Sequence, residues 1–185
     1  MEVIETALKE VLLVKPDVHG DARGFFLEYF HTEHFADKGI HFPVAQFNHS
    51  RSQRGVLRGL HYQLRRPQAK LVQVIQGEVL DVAVDIRKGS PTFGQCTAEV
   101  LSGENHHQLF IPVGFAHGFC VLSESVDFLY LCSDLYQADD EYGVAWDDPA
   151  LDIPWPQDGE FQLSAKDRHW PRLADAGDDL PVFGG

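Results

Sequence analysis

At 185 residues, with 44% hydrophobic and 23% charged side chains, the chain has the size and make-up of one globular domain, and residues 1–185 are read as a single unit. A net charge of −13 argues against nucleic acid or an anionic membrane as partner, and no apolar run reaches the roughly 20 residues of a membrane helix. The N-terminal MEVIETALKEVLLV carries acids and no small-residue cleavage site, and the three cysteines, Cys96, Cys120 and Cys132, have no CxxC spacing, so a cytoplasmic protein with reduced, buried thiols is expected.

In chain order, residues 31–38 (HTEHFADK) suit a short helix ended by Gly39. Short apolar runs then follow at 71–76 and 79–86, flanking a Gly77-Glu78 turn, with Val82, Val84 and Ile86 on one face of the second run. Lys88-Gly89-Ser90-Pro91 is another turn, and residues 93–101, 108–111, 118–122 and 126–133 are further strand candidates. Residues 139–155 are acidic and proline-punctuated and read as loops. Ser164 caps a possible helix over 164–168, and the polar, glycine-rich stretch from Ala174 to Gly185 reads as a frayed tail. Many short strands without helices between them predict an all-β sandwich or barrel and exclude a parallel α/β fold.

Charge is unevenly spread. No Asp or Glu occurs from Lys38 to Gly77, while Lys38, Arg51, Arg54, Arg58, Arg65, Arg66 and Lys70 do. Either this segment binds a small anion, or it forms a cationic face that pairs with acids elsewhere in the fold; charge alone leaves the two even.

Two motifs carry chemistry. Pro112-Val113-Gly114-Phe115-Ala116-His117 fits P-x-G-x-x-H, and Gly55 is followed by His61. Both resemble the signatures of the cupin superfamily of small jelly-roll barrels, where His117 would stand at a metal-ligand position. Metal-holding cupins continue with a second His and a Glu near the first motif and an Asn after the second. Here those places hold Gln63, Lys70 and Val121. An ammonium offers no lone pair and repels a cation, so no metal and no cofactor are expected. The competing reading is a metal site completed by His49, His106 or His107.

The stretch Gln46-Phe47-Asn48-His49-Ser50-Arg51-Ser52 running into Gly55-Val56-Leu57-Arg58-Gly59-Leu60-His61-Tyr62-Gln63 is more specific. With Asp21–Glu28 (DARGFFLE), PVGFAHGF, Asp127-Phe128-Leu129-Tyr130, Trp146-Asp147-Asp148-Pro149 and Leu163-Ser164-Ala165-Lys166-Asp167, it resembles the dTDP-4-dehydrorhamnose 3,5-epimerase family through nearly its whole length. The resemblance implies a metal-free cupin jelly roll with short flanking helices and a C-terminal helical or irregular segment. It also implies proton transfer beside a 4-keto group, where resonance into the carbonyl acidifies C3 and C5. His61 would be the base, Asp167 the partner that holds its other ring nitrogen, Lys70 the cation at the enolate oxygen, and Tyr130 the acid, with Tyr136 as the alternative donor. Leu131 follows Tyr130 where the family often has Lys. Arg23, Phe25, Glu28, Gln46, Asn48, Arg58, His117, Glu141 and Lys166 would bind the sugar nucleotide. Arg23, Phe25 and Glu28 would reach a neighbouring subunit's pocket, in a homodimer formed by exchange of N-terminal strands, with Phe25 stacked on the thymine. The acid-free segment then serves a pyrophosphate. Two other functions fit the same residues less well: an epimerase that inverts C3 only, and a non-enzymatic cupin that binds a sugar or anion and needs no His–Lys–Tyr set.

Overall fold

The computed structural model describes residues 1–157 and 160–184. Its strands are β1 (Glu2–Glu5), β2 (Leu12–Lys15), β3 (Val18–Asp21), β4 (Gly24–Leu27), β5 (Gln46–Gln53), β6 (Leu57–Gln63), β7 (Lys70–Gln76), β8 (Glu78–Asp85), β9 (Cys96–Ser102), β10 (Gln108–Ile111), β11 (Phe115–Val121), β12 (Ser125–Cys132) and β13 (Glu141–Gly143). One helix, α1 (Thr32–Ala36), lies between β4 and β5. A six-stranded sheet of order β1-β2-β10-β7-β12-β5 faces a five-stranded sheet of order β13-β6-β11-β8-β9, and β3-β4 form a separate two-stranded hairpin. The ladders between these strands are antiparallel, which makes the fold an all-β jelly roll of the cupin type.

Period-two alternation sorts side chains among three apolar cores. Val72, Val74, Val79, Ala83, Phe119 and Phe128 fill the space between the sheets. Val82, Val84 and Ile86, which the sequence places on one face of their run, bury against Val144, Leu151, Trp155, Leu173 and Leu180 outside the five-stranded sheet. Leu71, Phe110 and Leu131 bury outside the six-stranded sheet against Phe35 of α1. Phe35 is the only buried residue of that short helix and its burial, worth about 2–3 kcal/mol, is what holds so short a helix in place.

The sequence-based boundaries hold for residues 108–111 and need adjustment elsewhere. The expected helix 31–38 shrinks because His31 is its cap, accepting from His34 N. Residues 93–95 turn before β9 begins. Gly77, with φ of 85°, does make a turn, but it carries the chain from one sheet to the other, so β7 and β8 are not partners. Residues 139–155 are not all loop, since β13 pairs with β6. Ser164 caps no helix; its hydroxyl accepts from Asp167 N within a turn. The tail is packed rather than frayed: Leu180 and Ala176 are buried, Tyr62 Oη donates to Asp179 O at 2.8 Å, and Phe183 N donates to Lys88 O at 3.0 Å. Its isolated apolar residues cover the outer face of the five-stranded sheet, which composition alone does not reveal. Gly185 lies outside the described residues.

Candidate active site

A cavity of about 380 Å³ opens between the two sheets. Strand pairing stacks its walls in rows. On the six-stranded sheet Cys132 lies between Gln46 and Lys70, Tyr130 between Asn48 and Val72, and Phe128 between Ser50 and Val74. On the facing sheet His61 of β6 is paired with His117 of β11 and with Gly143 of β13. The sequence-predicted base therefore comes from one wall, and the predicted acid and cation from the other.

His61 Nε2 meets Asp167 Oδ1 at 2.5 Å. Asp167 is buried, and burial alone would raise its pKa. The hydrogen bond and charge of His61, then Ser164 and Trp170, outweigh that and hold it below the usual carboxylate value. An ionised Asp167 can only accept, so the His61 ring donates to it through Nε2. Nδ1 has Glu141 Oε1 at 4.0 Å. Trp170 contacts both partners: its Nε1 donates to Asp167 Oδ1 at 3.3 Å, and its ring meets the His61 ring edge-on at 6.2 Å. Glycines make room for this arrangement. A Cβ on Gly143 would lie 2.5 Å from the Trp170 ring, so Trp170 fits beside β13 only because that position lacks a side chain; a Cβ on Gly59 would lie 2.6 Å from Gly118 Cα, so β6 approaches β11 closely only because residues 59 and 118 are both glycine.

Lys70 is half-buried, and its desolvation lowers its pKa, while Cys132, Asp81 and Glu141 oppose that fall. Asp81 is fully buried, and both its oxygens lie 3.0 Å from His117 Nε2. Burial raises the Asp81 pKa against the pull of His117 and Lys70. His117 thus lines the cavity with one nitrogen committed to a carboxylate of the wall. Tyr130 has its pKa raised, first by burial, so the phenol is protonated at neutral pH.

The mouth is polar. Glu141 Oε2 accepts from Lys166 Nζ at 2.5 Å and from Tyr136 Oη at 3.0 Å. Gln46 Nε2 donates to Asn48 Oδ1 at 2.8 Å, and Gln46 Oε1 accepts from Tyr136 N at 2.8 Å. Arg58 is held by Ser52 Oγ, 3.2 Å from Nε and 3.1 Å from Nη2. All of these except Ser52 line the cavity.

The acid-free segment divides between its two readings. Arg51 pairs with Asp127, Arg65 with Asp140, and Arg66 with Asp134, so much of the charge answers acids from other parts of the chain. Only Arg58 and Lys70 turn to the cavity. Arg23, Phe25 and Glu28 do not line it. Arg23 pairs with Asp21 at 2.5 Å, Glu28 with His34 at 2.7 Å, and Phe25 packs on His106 at 4.8 Å.

The metal reading fails on placement. His49 points to the outer face, where it meets Asp127 at 2.8 Å, and His106 and His107 lie outside the cavity. Among the described residues the one grouping of three potential ligands is Glu28, His31 and His34, also outside it. Sequence reasoning missed Asp81, Trp170, Gly143 and Ser50. An acid on the inward row of the apolar run VLDVAVDI is a signal for Asp81, and the period-two stripe Gln46, Asn48, Ser50, Ser52 is one for Ser50. Nothing local marks Trp170.

A jelly roll whose cavity sets an imidazole–carboxylate pair against a phenol and an ammonium from the facing sheet defines a cupin-type acid–base enzyme. The model of the dTDP-4-dehydrorhamnose 3,5-epimerase family matches residues 5–175, and the chain belongs to that family of isomerases. It is 52% identical over 178 residues to the dTDP-4-dehydrorhamnose 3,5-epimerase of Pseudomonas aeruginosa, covering 95% of this chain and 98% of that one. The Legionella pneumophila dTDP-6-deoxy-D-glucose-3,5-epimerase, solved with dTDP-4-keto-L-rhamnose, superposes with a TM-score of 0.97 at 48% identity, over 100% of this chain and 99% of that one. A 3'-monoepimerase from Streptomyces bikiniensis, solved with dTDP-quinovose, gives 0.91 at 37% identity, over 99% and 93%.

Proposed function

We propose that this chain inverts C3 and C5 of dTDP-4-dehydro-6-deoxy-D-glucose to give dTDP-4-dehydro-L-rhamnose, in dTDP-rhamnose synthesis. The observation that carries this reading is the convergence of His61, Lys70 and Tyr130 on one cavity from opposed walls. His61 Nδ1 takes the hydrogen next to the ketone as a proton, and Asp167 stabilises the imidazolium that forms. The electron pair moves into the carbonyl, and Lys70 Nζ faces the developing enolate oxygen inside the cavity between the sheets. Tyr130 returns a proton to the same carbon from the opposite face, which inverts it; once His61 has released its proton to solvent and Tyr130 has regained one from it, the same step at the second carbon completes the reaction. Tyr130 suits the acid better than Tyr136, whose hydroxyl is given to Glu141 at the mouth.

Arg58, Gln46, Asn48, His117, Glu141 and Lys166 bind the sugar nucleotide, the Arg58 fork suiting its phosphates. Arg23, Phe25 and Glu28 serve a second subunit of a homodimer. The β3–β4 hairpin supports this: it belongs to neither large sheet and exposes Phe25 and Phe26, while β5 offers a free edge of eight residues to an exchanged strand. Residues 1–185 act as one unit. No helix among the described residues is long and apolar enough to cross a membrane, and Cys96, Cys120 and Cys132 are unpaired, in keeping with work in the cytoplasm.

Proton NMR of the 4-keto sugar nucleotide in deuterated water tests the reading. Deuterium is expected at both C3 and C5. Incorporation at C3 alone makes the enzyme a C3 epimerase, and incorporation at neither carbon rules out epimerisation.

A further inference from the structure

Ser50 stands on the inner face of β5, two residues from Asn48 and two from Ser52. Both neighbours have their polar atoms engaged: Asn48 with Gln46 at 2.8 Å, and Ser52 with Arg58 at 3.1 Å. Ser50 Oγ is shielded from water and has no hydrogen-bond partner among the described residues, yet the side chain lines the cavity. Its cross-strand neighbour is Phe128, which stacks on Phe119 at 4.3 Å and on His117 at 6.3 Å. These rings make an apolar floor. Counted along β5 from the mouth residue Gln46, Ser50 lies one row beyond Asn48 and Tyr130, roughly 7 Å deeper for two residues of strand.

A hydroxyl left unpaired against aromatic rings weakens the free protein, because the bonds it makes to water when unfolded are not replaced. Alanine would pack there at least as well. The position makes chemical sense if a ligand oxygen supplies the missing partner. We propose that Ser50 is a specificity-determining residue whose hydroxyl hydrogen-bonds an oxygen of the sugar ring, at the end of the substrate that enters deepest. This rests on the sugar-nucleotide reading above. The contact binds ground state and transition state alike, so it acts on KM rather than on kcat.

Ser50→Ala separates the ligand role from a structural one, because the two predict opposite signs. The expected result is an unchanged or higher Tm without ligand, a KM for the 4-keto sugar nucleotide raised about tenfold, as for one buried hydrogen bond lost, and kcat within about twofold. The inhibition constant of dTDP, which lacks the sugar, should stay within about twofold of wild type on the same argument. Ser50→Cys keeps the size with a weak donor and should also raise KM, which covers a poorly folding alanine variant. An unchanged KM in the folded variants overturns the proposal, as does a dTDP inhibition constant that rises as much as KM. A lowered Tm with unchanged KM assigns Ser50 a structural role instead. Failure of the wild-type protein to exchange deuterium sinks the substrate reading itself and is visible before any variant is made.

Discussion

Two imidazole–carboxylate pairs stand on the same sheet and do different work. His61–Asp167 joins a strand residue to a turn near the C-terminus, at 2.5 Å, with Nδ1 left toward the cavity. His117–Asp81 joins two strand residues in the wall, both oxygens at 3.0 Å. The acids differ most. Asp167 has donors from Ser164 and Trp170 beside its histidine and stays ionised. Among the described residues the Asp81 carboxylate has only His117 as hydrogen-bond partner, and burial raises its pKa. The lesson is that the donors around the acid, more than the pair itself, decide whether burial or hydrogen bonding sets the state of the carboxylate.

The largest effect that would sharpen this contrast is expected at His61. His61→Ala should lower kcat by roughly 10²–10⁴-fold and abolish deuterium wash-in, whereas His117→Ala should retain wash-in. Wild-type exchange in His61→Ala would break the assignment. Next, Lys70→Met keeps the bulk and removes the charge, and should cost roughly 10²–10³-fold in kcat; a loss confined to KM would move Lys70 from catalysis to binding. Tyr130→Phe should slow turnover by about 10²-fold while deuterium still enters from solvent, and equal turnover would hand the acid role to Tyr136 or water.

A smaller change is expected at the wall pair. Asp81→Asn should cost less than about tenfold in kcat at neutral pH, since it touches no reacting atom. It should, however, move the alkaline limb of the pH–rate profile to lower pH. Asp81 supports the charge of Lys70 against burial, so its removal lets the ammonium deprotonate sooner. An unmoved limb would uncouple the two residues.

The smallest effect concerns stability and compares Asp81 with Asp85 on the same strand, both fully buried. Burial alone would raise Asp85, but Arg87, Ser90 and Thr92 donate to it and hold its pKa at about 2. A folded pKa below the unfolded 3.8 stabilises the fold at all pH values above about 4. That contribution, on the order of 2 kcal/mol, is lost as pH falls toward 2. Asp85→Asn should therefore be less stable at pH 7 and flatter between about pH 4 and 2, as followed by urea unfolding.

Much of the site was legible because its residues sit in compact motifs. Arg58 and His61 fall within one strand, and Gln46 and Asn48 alternate on another, so a family resemblance carries them together. Asp167 was named from the resemblance, and its contact with His61 spans a chain separation that no local pattern encodes. The packed tail and β13 were missed for a related reason: their apolar residues are too sparse for a periodic signal and are defined by what they cover. For Arg51, Arg65 and Arg66 the linear chain left an anion site and a paired cationic face equally open, and the structure partners all three with acids from elsewhere.

The family resemblance supplied the candidate proton-transfer set, and by itself the sequence determined the all-β character and the absence of a long apolar helix. Those follow from alternation, turn residues and side-chain chemistry, which are local. The tertiary structure alone decided that His61 and Tyr130 face each other from opposed sheets, that Asp81 backs His117, and that Ser50 Oγ has no hydrogen-bond partner among the described residues. Each of these depends on strand order and register, which are set by how three cores close around the chain as a whole.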